Sequence, residues 1–298
     1  LMSDREKFLK EKISSLVPKE TELESRGEHF DFHAPVTCSV TTSHSIAVGF
    51  GDGKVRFFFE GEKPRIIDAH NGVVLSIATN GEYIFTGGDD GRFLKLSQNG
   101  DIVEIANFNS RWVDSVAAYK DSMVCSSGRN VYIWSGDQKK AKSLEHSSTV
   151  GGLAFDHTGK RLAVSSYGGV TVWERGERRW TSKRLVWKGS HSKVGFSPDG
   201  KYIVTSMQES ELHGWRLRDK VDLAMRGYPA KIKSSAWAGD TPHLATSGDH
   251  QAICWPFDGK DGPLGREPVC VADCGKQIST FIEPLTGEKA IFVGFNDG

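Results

Sequence analysis

Residues Tyr83–Leu96 read YIFTGGDDGRFLKL. An apolar run meets a tight polar turn, and a second run ends on a bulky side chain. Short β-favouring runs joined across an Asp-Gly turn read as a β-hairpin. The same figure returns at Ser45–Phe58 (SIAVGFGDGKVRFF), Ser122–Trp134 (SMVCSSGRNVYIW), Arg161–Trp173 (RLAVSSYGGVTVW), Tyr202–Trp215 (YIVTSMQESELHGW) and His243–Trp255 (HLATSGDHQAICW). Its bulky ends, Phe58, Leu96, Trp134, Trp173, Trp215 and Trp255, are separated by 38, 38, 39, 42 and 40 residues. Six copies this close to one period are an internal repeat, and a repeat decides the fold before any single element does.

Each hairpin is preceded by an alternating strand: VTCSV from Val36, VVLSIA from Val73, VDSVAA from Val113, VGGLAF from Val150 and KVGF from Lys193. A less regular strand follows each bulky end, as at Pro64–Asp68, Ile102–Ala106 and Lys183–Val186. Four antiparallel strands per ~40 residues are one blade of a β-propeller, whereas a kelch period of ~50 is too long. One small sheet is not stable alone, so blades must stack around an axis, which also protects their edges. The expectation is an all-β, seven-bladed propeller of four-stranded antiparallel blades over residues 28–298. The seventh unit, from Lys276, holds a first strand, a Thr286–Gly287 turn and a second strand, but not a third, so the last blade is expected to be incomplete in this sequence. Glu28–Phe32 alternates as a closing outer strand would. Residues 1–27 read as a short amphipathic helix and a polar linker. Phe8, Leu9, Ile13 and Leu16 fall at helical spacing, Ser3 and Glu6 form a capping box, and Pro18 ends the pattern.

Composition narrows the function. Lys and Arg number 38 against 38 Asp and Glu. That balance argues against a generic nucleic-acid binder or a polybasic membrane protein. Hydrophobic residues at 38 %, with 16 Phe, argue against global disorder. No run approaches ~18 apolar residues, and the first residues are too charged for a signal peptide. Five cysteines, odd and sparse, fit reduced thiols, so the cytoplasm is the expected compartment. The Gly-rich stretches lack a Gly-Lys-Ser/Thr ending, and there is no Gly-x-Ser-x-Gly elbow, His-Glu-x-x-His helix or EF-hand loop. No catalytic residue, metal ligand or cofactor is assigned, and the protein reads as non-enzymatic.

With His70 ahead of a first strand, SPDG at Ser197–Gly200, and turn aspartates Asp52, Asp90 and Asp249 six residues before their bulky ends, the sequence resembles the WD-repeat family. The resemblance covers residues from about Phe30 onward. It implies a structural hydrogen-bond network joining a histidine, a second-strand Ser or Thr and the turn aspartate. Carried over, His70, Thr86 and Asp90 form one set, with Leu96 where the family has Trp, and His33 with Asp52 another. The chain departs from the pattern in that no repeat ends in Trp-Asp, and Gly128, Tyr167 and Glu209 replace the turn aspartate.

The resemblance further implies a scaffold that binds a protein or peptide through the face around the central channel. Repeat alignment puts Arg111, Trp112, Thr149, His191, Lys231 and Gln277 there, and Trp and Arg are types that anchor interfaces. A second candidate is the basic-aromatic stretch ERGERRWTSKRLVWK, with Arg175, Arg178, Arg179, Trp180, Lys183, Arg184 and Lys188. It reads as a charged sheet edge, or as a surface for RNA, phosphate or an acidic partner. Two alternatives stay open: an enzyme or small-ligand propeller with its site at the axis, and an RNA- or ribosome-associated factor using that basic edge.

Overall fold

The structure, a computed structural model, describes residues 22–136, 138–238, 242–273, 275–285 and 290–296. Within each sheet, neighbouring strands are consecutive in the chain and pair antiparallel. The first blade holds β1 (Val36–Thr41), β2 (Ile46–Phe50), β3 (Lys54–Phe58) and β4 (Arg65–Asp68); the second holds β5 (Val74–Thr79), β6 (Ile84–Gly88), β7 (Arg92–Leu96) and β8 (Ile102–Asn107). The third holds β9 (Ser115–Tyr119), β10 (Ser122–Ser127), β11 (Asn130–Ser135) and β12 (Lys142–Glu145). A six-stranded sheet follows, of β13 (Val150–Phe155), β14 (Arg161–Arg175), β15 (Trp180–Phe196), β16 (Tyr202–Met207), β17 (Leu212–Arg216) and β18 (Val221–Met225). Then come a four-stranded blade of β19 (Ser235–Trp237), β20 (His243–Thr246), β21 (Ala252–Pro256) and β22 (Val269–Val271), and a pair, β23 (Ser279–Pro284) with β24 (Ile291–Phe295). The fold is an all-β propeller of four-stranded antiparallel blades.

Seven separate blades are not what this pairing yields: the described strands form five larger sheets and one pair. The reason lies in β14 and β15. The long β14 turns back on itself around Gly168 and Gly169, both at positive φ, and Arg175 N donates to Lys160 O across its ends. β15 pairs with β14 up to Ser190 and with β16 from His191 onward, so one continuous strand serves both halves of the sheet.

The helix expected over Asp4–Val17 and the turn at Thr286–Gly287 lie outside the described residues. Within the expected linker, Glu22–Arg26 forms a single helical turn, α1, with Arg26 Nη1 3.2 Å from Glu22 Oε1. Glu28–Phe32 is not a strand. Phe32 instead packs edge-on against Phe50 and Phe58, and the buried Arg56 guanidinium lies 4.3 Å from the Phe32 ring centre and 4.2 Å from that of Phe50. Ring and cation–π contacts with the first blade outweigh strand pairing for this segment.

The core lies between blades, as the alternation requires. Val55, Phe57, Val74, Ile84 and Leu94 fill the space between the first two. Phe93 and Trp134 stand between the second and third, and Val131, Ile133, Leu162 and Val164 between the third and β14. Because strands alternate in direction, the β1–β2 and β3–β4 turns and their equivalents share one face. The β2–β3 turns and the loops between blades share the other. On the first face neighbouring units are tied by hydrogen bonds. Asn80 Nδ2 donates to Lys120 O (2.6 Å), Tyr119 OH to His157 O (3.1 Å), and Arg161 Nη2 to Gly200 O (2.9 Å).

One local device shapes the axis. The pairing of the innermost strand slips by a bulge between Val36 and Cys38, Val74 and Ser76, Val150 and Gly152, His191 and Val194, and Ser279 and Phe281. A bulge frees a residue from the ladder and re-aims it. Thr37, Leu75, Gly151, Lys193 and Thr280, freed in this way, all line a central cavity of about 1030 Å³.

Candidate functional site

The cavity is lined from every unit of the chain and carries Cys38, Asp114, Lys193, Lys233 and Glu283 among hydroxyls and apolar side chains. Burial raises the pKa of Asp114 and of Glu283, the latter despite the hydroxyl of Thr41, which donates to Glu283 Oε1 at 3.1 Å. Burial also lowers that of Lys193 and pushes the Cys38 thiol up to about 11, so this thiol is protonated at neutral pH and no nucleophile. Among the described residues no three His, Cys, Asp or Glu side chains are grouped so that they could hold a metal ion.

The residues that repeat alignment assigned to the channel face divide in their exposure. Trp112 is 56 % exposed, and Arg111 beside it is exposed, its guanidinium 6.0 Å from the Phe108 ring. Thr149 is exposed on the rim of a notch of about 340 Å³, with Ser148, Tyr167, Ser190 and Gln208. Lys231 is exposed and its Nζ donates to Gln208 Oε1 (2.8 Å), which places it on the same rim. Gln277 is half-buried and its backbone oxygen accepts from His250 Nδ1 (3.2 Å). His191 differs from expectation: it is buried at 2 % exposure, with Nε2 on Trp187 O (3.0 Å) and Nδ1 on Thr205 Oγ1 (2.7 Å). Its position in the ladder opposite Met207 turns the ring into the sheet. Tyr167, 58 % exposed on the same rim, was not singled out as a contact residue. Its signal was present, since it stands where other repeats carry the turn aspartate.

The structural network is denser than the sequence suggested. His70 Nδ1 is 2.9 Å from Asp90 Oδ1 and Nε2 is 2.9 Å from Thr86 Oγ1. A carboxylate only accepts, so Nδ1–H donates to Asp90 and Nε2 accepts from the Thr86 hydroxyl. Burial lowers the His70 pKa and keeps the ring neutral, while Asn71 N–H, His70 and Arg92 N–H outweigh burial at Asp90 and hold its carboxyl low. Asp52 does not meet His33; it takes a two-pronged contact from the Arg56 guanidinium (3.1 and 2.7 Å), and His33 turns to Asp31 (3.3 Å). Asp249 Oδ1 accepts from His250 N, and its backbone holds Ser279. Other units reach the same end by different residues. Trp173 Nε1 donates to His146 Nε2 (3.0 Å), and Trp255 Nε1 to Tyr228 OH (2.7 Å), which is 2.6 Å from Thr246 Oγ1.

The basic stretch does not form one continuous surface. Trp180 packs against the cluster of Leu144 and Val150, and Trp187 stacks on the buried His213 at 4.0 Å. Arg184 is half-buried beneath the β14 turn, donating to Thr171 Oγ1 (2.9 Å), Ser166 Oγ (3.2 Å) and Tyr167 O (2.9 Å). Arg175 reaches Ser122 Oγ (3.5 Å). Arg178, Arg179, Lys183 and Lys188 are exposed. A strand rises ~3.3 Å per residue, so Arg178 and Lys188 sit on opposite faces of the ring.

Comparison with known proteins agrees with this architecture. The family model for the WD domain, G-beta repeat, matches residues 61–93 and 138–174. Each match begins around the outermost strand of one blade and continues into the inner strands of the next, so the sequence repeat is offset from the blade. A coronin-like protein of Saccharomyces cerevisiae (strain ATCC 204508 / S288c) is 28 % identical over 176 residues, 54 % of this chain and 26 % of that protein. The chain thus spans about a quarter of the length of the curated relative it matches. The fold is a β-propeller, and two of its stretches are similar to the WD repeat. No helix among the described residues is long and apolar enough to cross a membrane.

Proposed function

We propose that the protein is a non-enzymatic scaffold of the cytoplasm, a seven-bladed ring that binds an extended segment of a partner protein across its channel face. The observation that carries the binding reading is Trp112. A large aromatic side chain 56 % exposed, with Arg111 exposed beside it, stands on the loop leading into an innermost strand. Trp and Arg are residue types enriched among the anchors of protein interfaces. Thr149, Tyr167, Gln208 and Lys231 give the same rim polar and aromatic points of attachment. A stiff frame presents them already ordered, which limits the entropy lost on binding.

Two observations support the count of seven. Apolar clusters join every consecutive pair of repeat units, including Val170, Val172 and Leu185 with Phe196, Ile203 and Trp215 between the halves of the six-stranded sheet. Ala245 and Ala252 with Ile282 do the same for the last pair, and Thr41 meets Glu283 between the first and last innermost strands. The division into 1–27, a helix and linker, and 28–298, the propeller, belongs to this reading. The helical spacing of Phe8, Leu9, Ile13 and Leu16 supports it.

Affinity capture from native lysate, comparing the wild-type chain with Arg111→Glu/Trp112→Ala, tests the binding reading. A specific protein lost by a variant that keeps its melting temperature is the expected result. The same proteins held equally by both would overturn the channel-face assignment.

A further inference from the structure

On the face opposite that rim, the turns of the third blade and of β13–β15 bring exposed cations together. They are Lys120 in the β9–β10 turn, Lys139 and Lys140 between β11 and β12, Lys160 between β13 and β14, and Arg178 and Arg179 between β14 and β15. The turns adjoin one another: Tyr119 OH donates to His157 O, and Arg175 Nη1 to Ser122 Oγ. None of the six is in an ion pair with a described residue, whereas Arg161 in the same region is held by Asp156. Within the segments 119–122, 136–142, 156–161 and 174–180, nine Lys and Arg stand against five Asp and Glu, in a chain whose charges cancel as a whole. The β3–β4, β5–β6 and β7–β8 turns on the same face instead carry exposed Glu60, Glu62, Glu82 and Asp101 against the exposed Lys63. The face is therefore charge-polarised, basic on one side and acidic on the other.

We propose that this basic cluster is a second docking surface, for an acidic polypeptide segment. Three features choose that partner. The aromatic rings nearby are engaged, Trp180 half-buried against the cluster of Leu144 and Val150 and Tyr119 against Phe155 (6.2 Å between ring centres), so neither ring stands free for stacking a nucleobase. Exposed Asp121, Glu174 and Glu177 lie between the cations and would repel a continuous phosphate chain, while a peptide with spaced carboxylates threads between them. Among the described residues no exposed large apolar side chain falls within those four segments, which leaves nothing to insert into a lipid surface.

The test measures fluorescence anisotropy of a labelled glutamate–serine copolymer peptide against the full chain, at low and at physiological salt. Poly(U) RNA and phosphatidylserine vesicles run as competing probes. Binding of the peptide that weakens as salt rises is expected, because exposed charges are screened beyond ~8–10 Å. Lys139→Glu/Lys140→Glu/Arg178→Glu/Arg179→Glu should weaken it by about tenfold or more, given four exposed charge contacts reversed. Glu60→Gln/Glu62→Gln and Arg111→Glu/Trp112→Ala should bind the peptide as the wild type does, which separates this surface from the channel face. Melting curves establish that each variant is folded. No binding of the peptide at low salt, undiminished binding by the charge-reversed variant, or tighter binding of RNA or vesicles than of the peptide would each overturn the proposal.

Discussion

Replacing Asp90 by Ala tests whether the buried relay of the second blade holds the ring together. The His70 side chain is fully enclosed and that of Asp90 is 9 % exposed. Asp90 accepts from His70 Nδ1 at 2.9 Å, from Asn71 N at 3.0 Å and from Arg92 N at 3.1 Å. Asn71 is exposed, so its amide regains water when the carboxylate is removed; His70 Nδ1–H has no such recourse. A buried donor left without an acceptor costs about 1–3 kcal/mol, and the lost charge-assisted bond places the total toward the upper end, about 3 kcal/mol. Urea unfolding followed by tryptophan fluorescence and by circular dichroism, with coincident transitions, measures it. A cycle with His70→Ala isolates the pair: the double variant should be less destabilised than the sum of the singles by about 1 kcal/mol or more. Additivity within ~0.5 kcal/mol, or a loss below ~1 kcal/mol for Asp90→Ala, would refute the relay as a stabilising element.

Two further outcomes follow from the same geometry. Tyr228→Phe removes the hydroxyl that receives Trp255 Nε1–H and meets Thr246, so it should cost about 1–3 kcal/mol by the same unfolding assay; an unchanged midpoint would show the link is idle. Burial lowers the pKa of His70, His146, His191 and His213, so the unfolded chain takes up protons first as pH falls below the ordinary 6.5. Stability is then full above that value and lost below it, by up to about 1.4 kcal/mol per pH unit for each histidine. Asp114 and Glu283, whose pKa values burial raises, act in the opposite sense. The melting temperature should fall between pH 7 and pH 5.5; a flat or rising profile would contradict neutral buried rings.

The repeat period alone determined the propeller class, because each unit must place its apolar faces against neighbours and only a blade fits four short strands into ~40 residues. The turn glycines belong to the same legible level: Gly53 and Gly91, at φ +81° and +78°, close the β2–β3 and β6–β7 hairpins where a Cβ would strike the backbone oxygens of His70 and Asn109. Repeat alignment likewise put Arg111 and Trp112 on a loop between blades, and both are exposed there. Tertiary structure decided the rest. Whether a histidine faces solvent or core depends on strand register and on a bulge, and those set His191 inside and left Tyr167 out. Whether Asp52 meets a histidine or Arg56 depends on which cation the fold carries past it, and the ring contacts of Phe32 with Phe50 and Phe58 settled that Arg56 lies beneath them. The basic stretch was one run in sequence, but a strand passes from face to face of the ring. Its cations were therefore divided, and Arg178 and Arg179 joined Lys120, Lys139, Lys140 and Lys160 from other turns. Local pattern reports periodicity within a strand; neighbourhood between turns arises only when the blades close on one another.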